Sequence, residues 1–302
     1  MLRRLFLKSV VVGSAGIFSD HFLRAETDSK TEPQRLHVAV NQFAANNFYR
    51  RDGKNFLDHL KEMKSVGVDG LEPMVDNVKK LESITSRLKN NGLEFRSIYI
   101  SGNLHDSRVA AGELARLNAV SKRARELGAE FAVFNPAAKH GKNDAELKLQ
   151  TENVNKLGAE MAKIGIKLAF HYHTVELEFA GREFYHLLNN TDPKNLSLCL
   201  EQHWSYRGTG NSQAALFDHL KLFRNRISVV HLRQSINNVW SETFGDGDID
   251  NVKLASELKL SGVPIHFVLE QVSEKGTPKT MPAETVLSQS CNYIRRTFGN
   301  NK

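Results

Sequence analysis

Imidazoles and carboxylates recur two residues apart just beyond short apolar runs, and these are the side chains best placed for chemistry. One run ends in His171-Tyr172-His173 and continues into Thr174-Val175-Glu176. Others end in Glu201-Gln202-His203-Trp204, His231-Leu232-Arg233 and Glu270-Gln271. In an extended chain, side chains two apart share a face. His171 can therefore point with His173, Glu201 with His203, and His231 with Arg233. A lone residue of this kind is more often a solvated strand end or a hydrogen-bonded core histidine; the set of four runs carries the reading. Gathered at one place, the carboxylates Glu176, Glu201 and Glu270 would repel and lose hydration. A divalent cation offsets that cost, and oxygen-rich ligands with one imidazole suit Mn²⁺, Mg²⁺, Co²⁺ or Fe²⁺, with Zn²⁺ also compatible. Earlier runs end in Asn41, Glu72 and Asn135, weaker candidates for substrate contact.

Positioning these residues requires strands whose ends lie side by side. Eight β-rich runs are predicted: Leu36–Asn41, Gly70–Val75, Glu94–Ile100, Glu130–Asn135, Lys167–His173, Leu196–His203, Ile227–Arg233 and Pro264–Glu270. Between them, apolar residues recur three and four apart, as in Phe56, Leu57, Leu60 and Met63, or Leu147, Val154, Leu157 and Met161. Five of the helical stretches stop at a glycine directly before the next run, at Gly67, Gly92, Gly128, Gly165 and Gly262, the residue suited to a left-handed C′ position. Strand–helix alternation calls for a parallel sheet, and eight strands close a (β/α)₈ TIM barrel with its working face at the C-terminal strand ends. The rival, a doubly wound open sheet, predicts an early Gly-rich phosphate turn; Gly245-Asp246-Gly247 comes late, before a helix. The expected layout is a single barrel domain over 36–298, after a signal segment at 1–25 and a linker at 26–35, with a short tail at 299–302.

Composition narrows the class of function. The 302 residues are 40% hydrophobic and 25% charged, near globular averages. Two cysteines, Cys199 and Cys291, cannot build a disulfide framework or a multi-cysteine zinc site. No run approaches the roughly 20 apolar residues of a membrane span. The formal charge of +7 invites a nucleic-acid reading, but Arg3, Arg4, Lys8 and Arg24 against Asp20 give the first 25 residues +3, leaving +4 spread among acidic residues. That N-terminus has a twin-arginine pair in Arg3-Arg4-Leu5-Phe6-Leu7-Lys8 and a short apolar stretch, Val10 to Phe18. It resembles a bacterial Tat signal, cleaved after Ala25 and read by the Tat export machinery into the periplasm. No stable membrane anchor and no nucleic-acid partner are expected.

His171-Tyr172-His173-Thr174-Val175-Glu176 resembles the His-x-His-x-x-Glu strand end of the sugar phosphate isomerase/epimerase group in the xylose isomerase-like TIM-barrel superfamily. Glu201 with Trp204 is similar to that group's Asp-x-x-Trp, His231-Leu232-Arg233-Gln234 to its His-Leu-Lys-Asp, and Phe267 to Gln271 to its closing strand. Val68 to Glu72 and Phe244 to Asp250 look like further family segments. The likeness extends over roughly Leu36 to Phe298. It implies one divalent metal held by Glu176, Glu201, His231 and Glu270, and proton transfer next to a carbonyl of a sugar, with Glu176 and Glu270 as the acid/base pair. His173, His203 and Arg233 would then orient hydroxyls, and Trp204 would face the ring. Two departures bear on this: Glu201 stands for Asp, and Arg233-Gln234 for Lys-Asp. An arginine fork can hold vicinal oxygens or a carboxylate bidentately.

Rival readings are a lyase or hydratase acting on a keto-sugar or inosose at the same site, a metal-dependent endonuclease, and a sugar-binding protein without turnover. The endonuclease needs more metal ligands and a basic groove. A binder has no need of four ligands on four strands. The loop from Ser235 to Asp248, longer than the usual 2–6-residue βα connection, is expected to cover the pocket with Trp240 and Phe244. Its alternative is packing against a neighbouring loop or a second subunit of a homo-oligomer. In that loop Gly245 and Gly247 allow a sharp return, and Asp248 caps the next helix.

Overall fold

The computed structural model of the protein describes residues 35–299; the twin-arginine segment at 1–25, the linker expected at 26–35 except its last residue, and the tail beyond 299 lie outside them. Eight parallel strands form the sheet: β1 (Val38–Asn41), β2 (Gly70–Glu72), β3 (Ser97–Gly102), β4 (Phe131–Pro136), β5 (Lys167–Phe170), β6 (Ser197–Glu201), β7 (Ile227–Leu232) and, after the hairpin of β8 (Ser235–Ile236) and β9 (Val239–Trp240), β10 (His266–Leu269). Their order is β2-β1-β10-β7-β6-β5-β4-β3, so each strand lies beside its sequence neighbour and the last returns beside the first. The remaining seam, between β2 and β3, is spanned by the isolated parallel bridges Gly70–Glu94 and Met74–Tyr99. The result is a nearly closed (β/α)₈ barrel, and the open-sheet rival is excluded.

Helices α1 (Gln42–Arg51), α2 (Leu60–Ser65), α3 (Val78–Asn90), α4 (Ala110–Glu126), α5 (Asp144–Lys163), α6 (Glu178–Asn189), α7 (Gln202–Gly208), α8 (Gln213–Phe223), α9 (Asn251–Lys259) and α10 (Ala283–Phe298) fill the connections. Their starts are encoded locally. Asn143 and Glu146 form a reciprocal capping box at α5, and Asn77 accepts from Lys80 N at α3. The five predicted glycine stops are real: Gly67, Gly92, Gly128, Gly165 and Gly262 all have φ between 63° and 110°. The periodic residues Val154, Leu157 and Met161 turn one face of α5 into the shell between helices and strands, and Leu147 is buried nearer the start of the helix.

Inside the barrel a separate small core holds Ala39, Tyr99, Val133, Ala169, Cys199, Val229 and Val268, one residue from each of seven strands. Below it lie Ser97, Ser197 and His266; above it the layer becomes polar. Five strands stop earlier than predicted: β2, β7 and β10 by one to three residues, and two with consequences for the site. β5 ends at Phe170 rather than His173, and β6 ends at Glu201, where α7 begins at once.

Candidate active site

Five residues of the apolar layer have a buried polar residue two positions further along the chain, at or just past the strand end, which the alternation of side chains points into the same interior. Ala39 leads to Asn41, Ala169 to His171, Cys199 to Glu201, Val229 to His231 and Val268 to Glu270. Glu72 joins them from β2, in register with Asn41, and Glu201 is in register with His231. The C-terminal end of the barrel is thereby lined by six polar side chains, all at most 5% exposed.

The four groups His171, Glu201, His231 and Glu270 each present a ligand atom within 4.8 Å of the others. Glu201 Oε1 lies 3.0 Å from His171 Nε2 and 2.7 Å from His231 Nδ1, and Glu270 Oε2 lies 3.7 Å from His231 Nδ1. Close as these contacts are, His171 Nε2 and both ring nitrogens of His231 lack a well-aimed hydrogen bond. Buried polar atoms are rarely left unpartnered. Two orphaned ring nitrogens converging on two carboxylates fit a shared cation, and this group can hold a metal ion.

The surrounding residues orient that set. His171 Nδ1 faces Asn135 Oδ1 at 3.2 Å and Tyr99 Oη at 3.5 Å, which leaves Nε2 for the centre. Behind His231, Glu72 Oε1 sits 3.0 Å from Nε2 and also accepts from Asn41 Nδ2 at 2.8 Å. Burial opposes charge on His231, but the Cys199 thiol, Glu72 and Glu201 outweigh it and hold its pKa well above the ordinary value. Burial likewise opposes charge on Glu201, and His171 and His231 hold it well below the carboxylate range. Burial pushes the Cys199 thiol up to about 12.

The structure rearranges several expected roles. Glu176 does not join the cluster: beyond the early end of β5, its Oε2 accepts from His173 N at 2.7 Å, and its buried Oε1 has no partner. His171 stands in its place in the group with Glu201, His231 and Glu270. Glu72 is fully buried behind His231 rather than turned to a substrate. His203 lies in α7, where two-apart residues no longer share a face, and its Nε2 is bonded to Ser235 Oγ at 3.0 Å. It supports the hairpin, with burial, Arg233 and Arg207 lowering its pKa to about 3. His173 stays at the mouth, partly exposed, its ring edge-on to His171 at 4.7 Å and to Trp204 at 5.6 Å. Arg233 donates from Nη2 to Glu270 Oε2 at 2.8 Å and from Nε to the Glu270 carbonyl. Its guanidinium lies 4.4 Å from the Trp240 ring and 5.1 Å from the Trp204 ring, a packed cation–π arrangement.

The loop after β7 divides. Trp240 stands in the β8–β9 hairpin beside Arg233, Arg207 and Trp204. Phe244 turns the other way and is buried against Tyr293 and Phe298 of α10, so it is a core residue and no lid. Asp248 does not cap α9; Asp250 does, accepting from Lys253 N. Asp248 instead accepts from Ser235 Oγ and the amides of Asn237 and Asn238, both left-handed turn residues. Gly247 is required by space: a Cβ there would lie 2.2 Å from the Ser235 carbonyl oxygen.

Comparison with known proteins agrees with this architecture. The profile of the xylose isomerase-like TIM barrel matches residues 60–297. An inosose dehydratase from Geobacillus thermodenitrificans is 28% identical over 177 residues, 52% of this chain and 56% of that protein. The match thus spans about half the length of that relative. Among solved structures, a sugar phosphate isomerase/epimerase from Parabacteroides distasonis superposes with a TM-score of 0.70 at 15% identity, over 88% of this chain and 96% of the other. A xylose isomerase-like TIM-barrel protein from Mycobacterium smegmatis, in complex with magnesium, gives 0.62 at 13% identity over 88% and 97%. At these identities the likeness concerns the fold. With more than half of its length matched by the profile, the chain belongs to the xylose isomerase-like TIM-barrel family.

Proposed function

We propose that this protein is a metal-dependent isomerase or epimerase of a sugar or sugar derivative, working by proton transfer next to a carbonyl through an enediolate. The observation that carries the reading is the convergence of buried His171, Glu201, His231 and Glu270 at neighbouring strand ends, with two ring nitrogens left without hydrogen bonds. A divalent cation held by these four would stabilise negative charge on a substrate carbonyl oxygen and so acidify the adjacent C–H. Two imidazoles beside two carboxylates favour Mn²⁺, Fe²⁺, Co²⁺ or Zn²⁺ over Mg²⁺.

The chain's own residues supply the rest. Arg233 fixes Glu270 through Oε2, leaving Oε1 as the oxygen that takes the proton; its return to the neighbouring carbon isomerises the sugar, whereas epimerisation needs a proton delivered to the opposite face by a second donor. Asn135 holds the His171 imidazole in one orientation, and the Glu72 carboxylate lies 3.0 Å behind His231. His173, Trp204 and Trp240 bound the mouth, where His173 orients a hydroxyl and the indoles face the ring. The Tat-like N-terminus adds export to this reading.

Incubation of metal-loaded protein with ketoses, inososes and 3-keto-sugars in D₂O, followed by NMR, tests the proposal. Deuterium is expected at a carbon beside a carbonyl. Absence of exchange and turnover with every metal and sugar class would overturn it. A dehydratase is the second reading, supported by the inosose dehydratase relative. Elimination needs a donor for the departing hydroxyl, and His173 at the mouth is placed for that; an unsaturated product in the same experiment would decide for it.

A further inference from the structure

A second cavity, about 670 Å³ in volume, lies between α1 and residues 273–279 of the β10–α10 connection. Phe43, Asn46 and Arg50 face it from α1, at the spacing of one helix face. Ser273, Lys275 and Lys279 face it from the other side. Its wall is tied to a residue of the mouth described above. Phe43 is two residues beyond Asn41, and Glu274, also in its wall, accepts from Trp240 N at 2.7 Å and from both terminal nitrogens of Arg207.

The charges in this cavity do not cancel. Arg51 in the wall is committed to Glu242 and Asp52, and Glu274 is committed to Arg207. Arg50, Lys275 and Lys279 have no ion pair with any described residue, and all three are exposed. Ser273 Oγ is buried without a hydrogen-bond partner, although its amide donates to Asn47 Oδ1 at 2.9 Å. Phe43, 49% exposed, presents an apolar ring beside these polar groups. The walls are also preformed. Glu274 N donates to Thr277 Oγ1, and Glu242 accepts from the amides of Thr280 and Met281. Three unneutralised cations held around a preformed concavity concentrate negative charge. An aromatic ring with amide and hydroxyl donors beside them suits a sugar ring.

We propose that this cavity is an anion subsite of the carbohydrate site, recognising a carboxylate or phosphate carried by the substrate. The substrate class is then an acidic sugar or a sugar unit joined to one. The subsite deepens the isomerase/epimerase reading and rests on it for its role in catalysis, while binding itself can be measured without turnover.

Calorimetric titration of the metal-loaded protein with glucuronate, glucose 6-phosphate, inorganic phosphate and glucose tests it. The two acidic sugars should bind at least tenfold more tightly than glucose, with affinity falling as salt is raised. The tighter of the two acidic sugars names the anion. A triple variant, Arg50→Ser with Lys275→Ser and Lys279→Ser, should lose at least tenfold for both, while Lys148→Ser on a different surface should not. Circular dichroism checks that the triple variant is folded. Equal affinity for glucose and the acidic sugars, or unchanged affinity in the folded triple variant, overturns the subsite. Inorganic phosphate bound as tightly as glucose 6-phosphate, with no gain from the sugar, overturns it as a carbohydrate subsite. Deuterium exchange without acidic-sugar binding removes the subsite and keeps the isomerase reading; binding without exchange does the reverse.

Discussion

At the residue scale, the difference between His171 and Glu176 decides the donor set. His171 is two positions beyond Ala169, so the strand's own alternation carries its ring into the barrel, where Asn135 turns Nε2 toward Glu201. Glu176 lies past the end of β5 and spends one oxygen on the His173 amide. Elemental analysis after exchange into metal-free buffer should therefore find His171→Ala and Glu201→Gln depleted of metal. Glu176→Gln should retain it as the parent does. Metal retained by His171→Ala and lost from Glu176→Gln would reverse the assignment. Glu201 in place of the shorter Asp also fits here, since its carboxylate reaches both His171 and His231.

At the scale of elements, the β8–β9 hairpin governs the mouth because it carries Trp240 against Arg233, the residue that holds Glu270. Its tight turn places Asn237 and Asn238 at φ 52° and 64°, and Asp248 receives both of their amides together with Ser235 Oγ. Asx residues tolerate this left-handed geometry better than most. Asp248→Ala removes three hydrogen bonds to one carboxylate and should lower unfolding free energy by about 1–3 kcal/mol in urea titration. Faster hydrogen exchange over 235–241 should accompany it, with metal content unchanged. Unaltered exchange in that segment would mean the hairpin is held by its aromatic packing alone.

At the scale of the whole molecule, the barrel interior has two polar ends of opposite behaviour. At the end away from the candidate site, His266 is bonded to Ser97 Oγ at 3.1 Å, stacked on Phe131 and near His37. Burial lowers its pKa to about 3; Glu72 works against that shift, while His37, Arg96 and His231 add to it. A histidine depressed in the folded state is neutral there but protonated in the unfolded chain below its ordinary pKa of about 6.5. Stability should therefore fall as pH drops from about 6.5 toward 3, by up to about 1.4 kcal/mol per pH unit from this group. His266→Gln should flatten the curve by that amount between pH 6 and 4.5, read by denaturant unfolding at each pH. An unchanged slope would show that His266 is not the group responsible.

Much of this architecture was legible in the sequence because it is locally encoded. Glycines at 67, 92, 128, 165 and 262 end their helices by a conformation that depends on the residue itself. Eight apolar runs separated by helices leave a parallel barrel as the economical closure, and the strand-end residues Glu201, His231 and Glu270 follow from a period of two. What the sequence could not determine was where a strand stops and what a side chain meets once it does. His173 and His203 keep their two-residue spacing on paper, but β5 and β6 end before them, so neither continues the strand face, and Glu176 follows three residues after His173. Trp240 and Phe244 sit four apart in one loop, yet one faces the mouth and the other α10. Glu72 looked like a free carboxylate until the register of β1 with β2 set it behind His231. Those outcomes depend on contacts between segments far apart in the chain, and only the closed barrel brings such segments together.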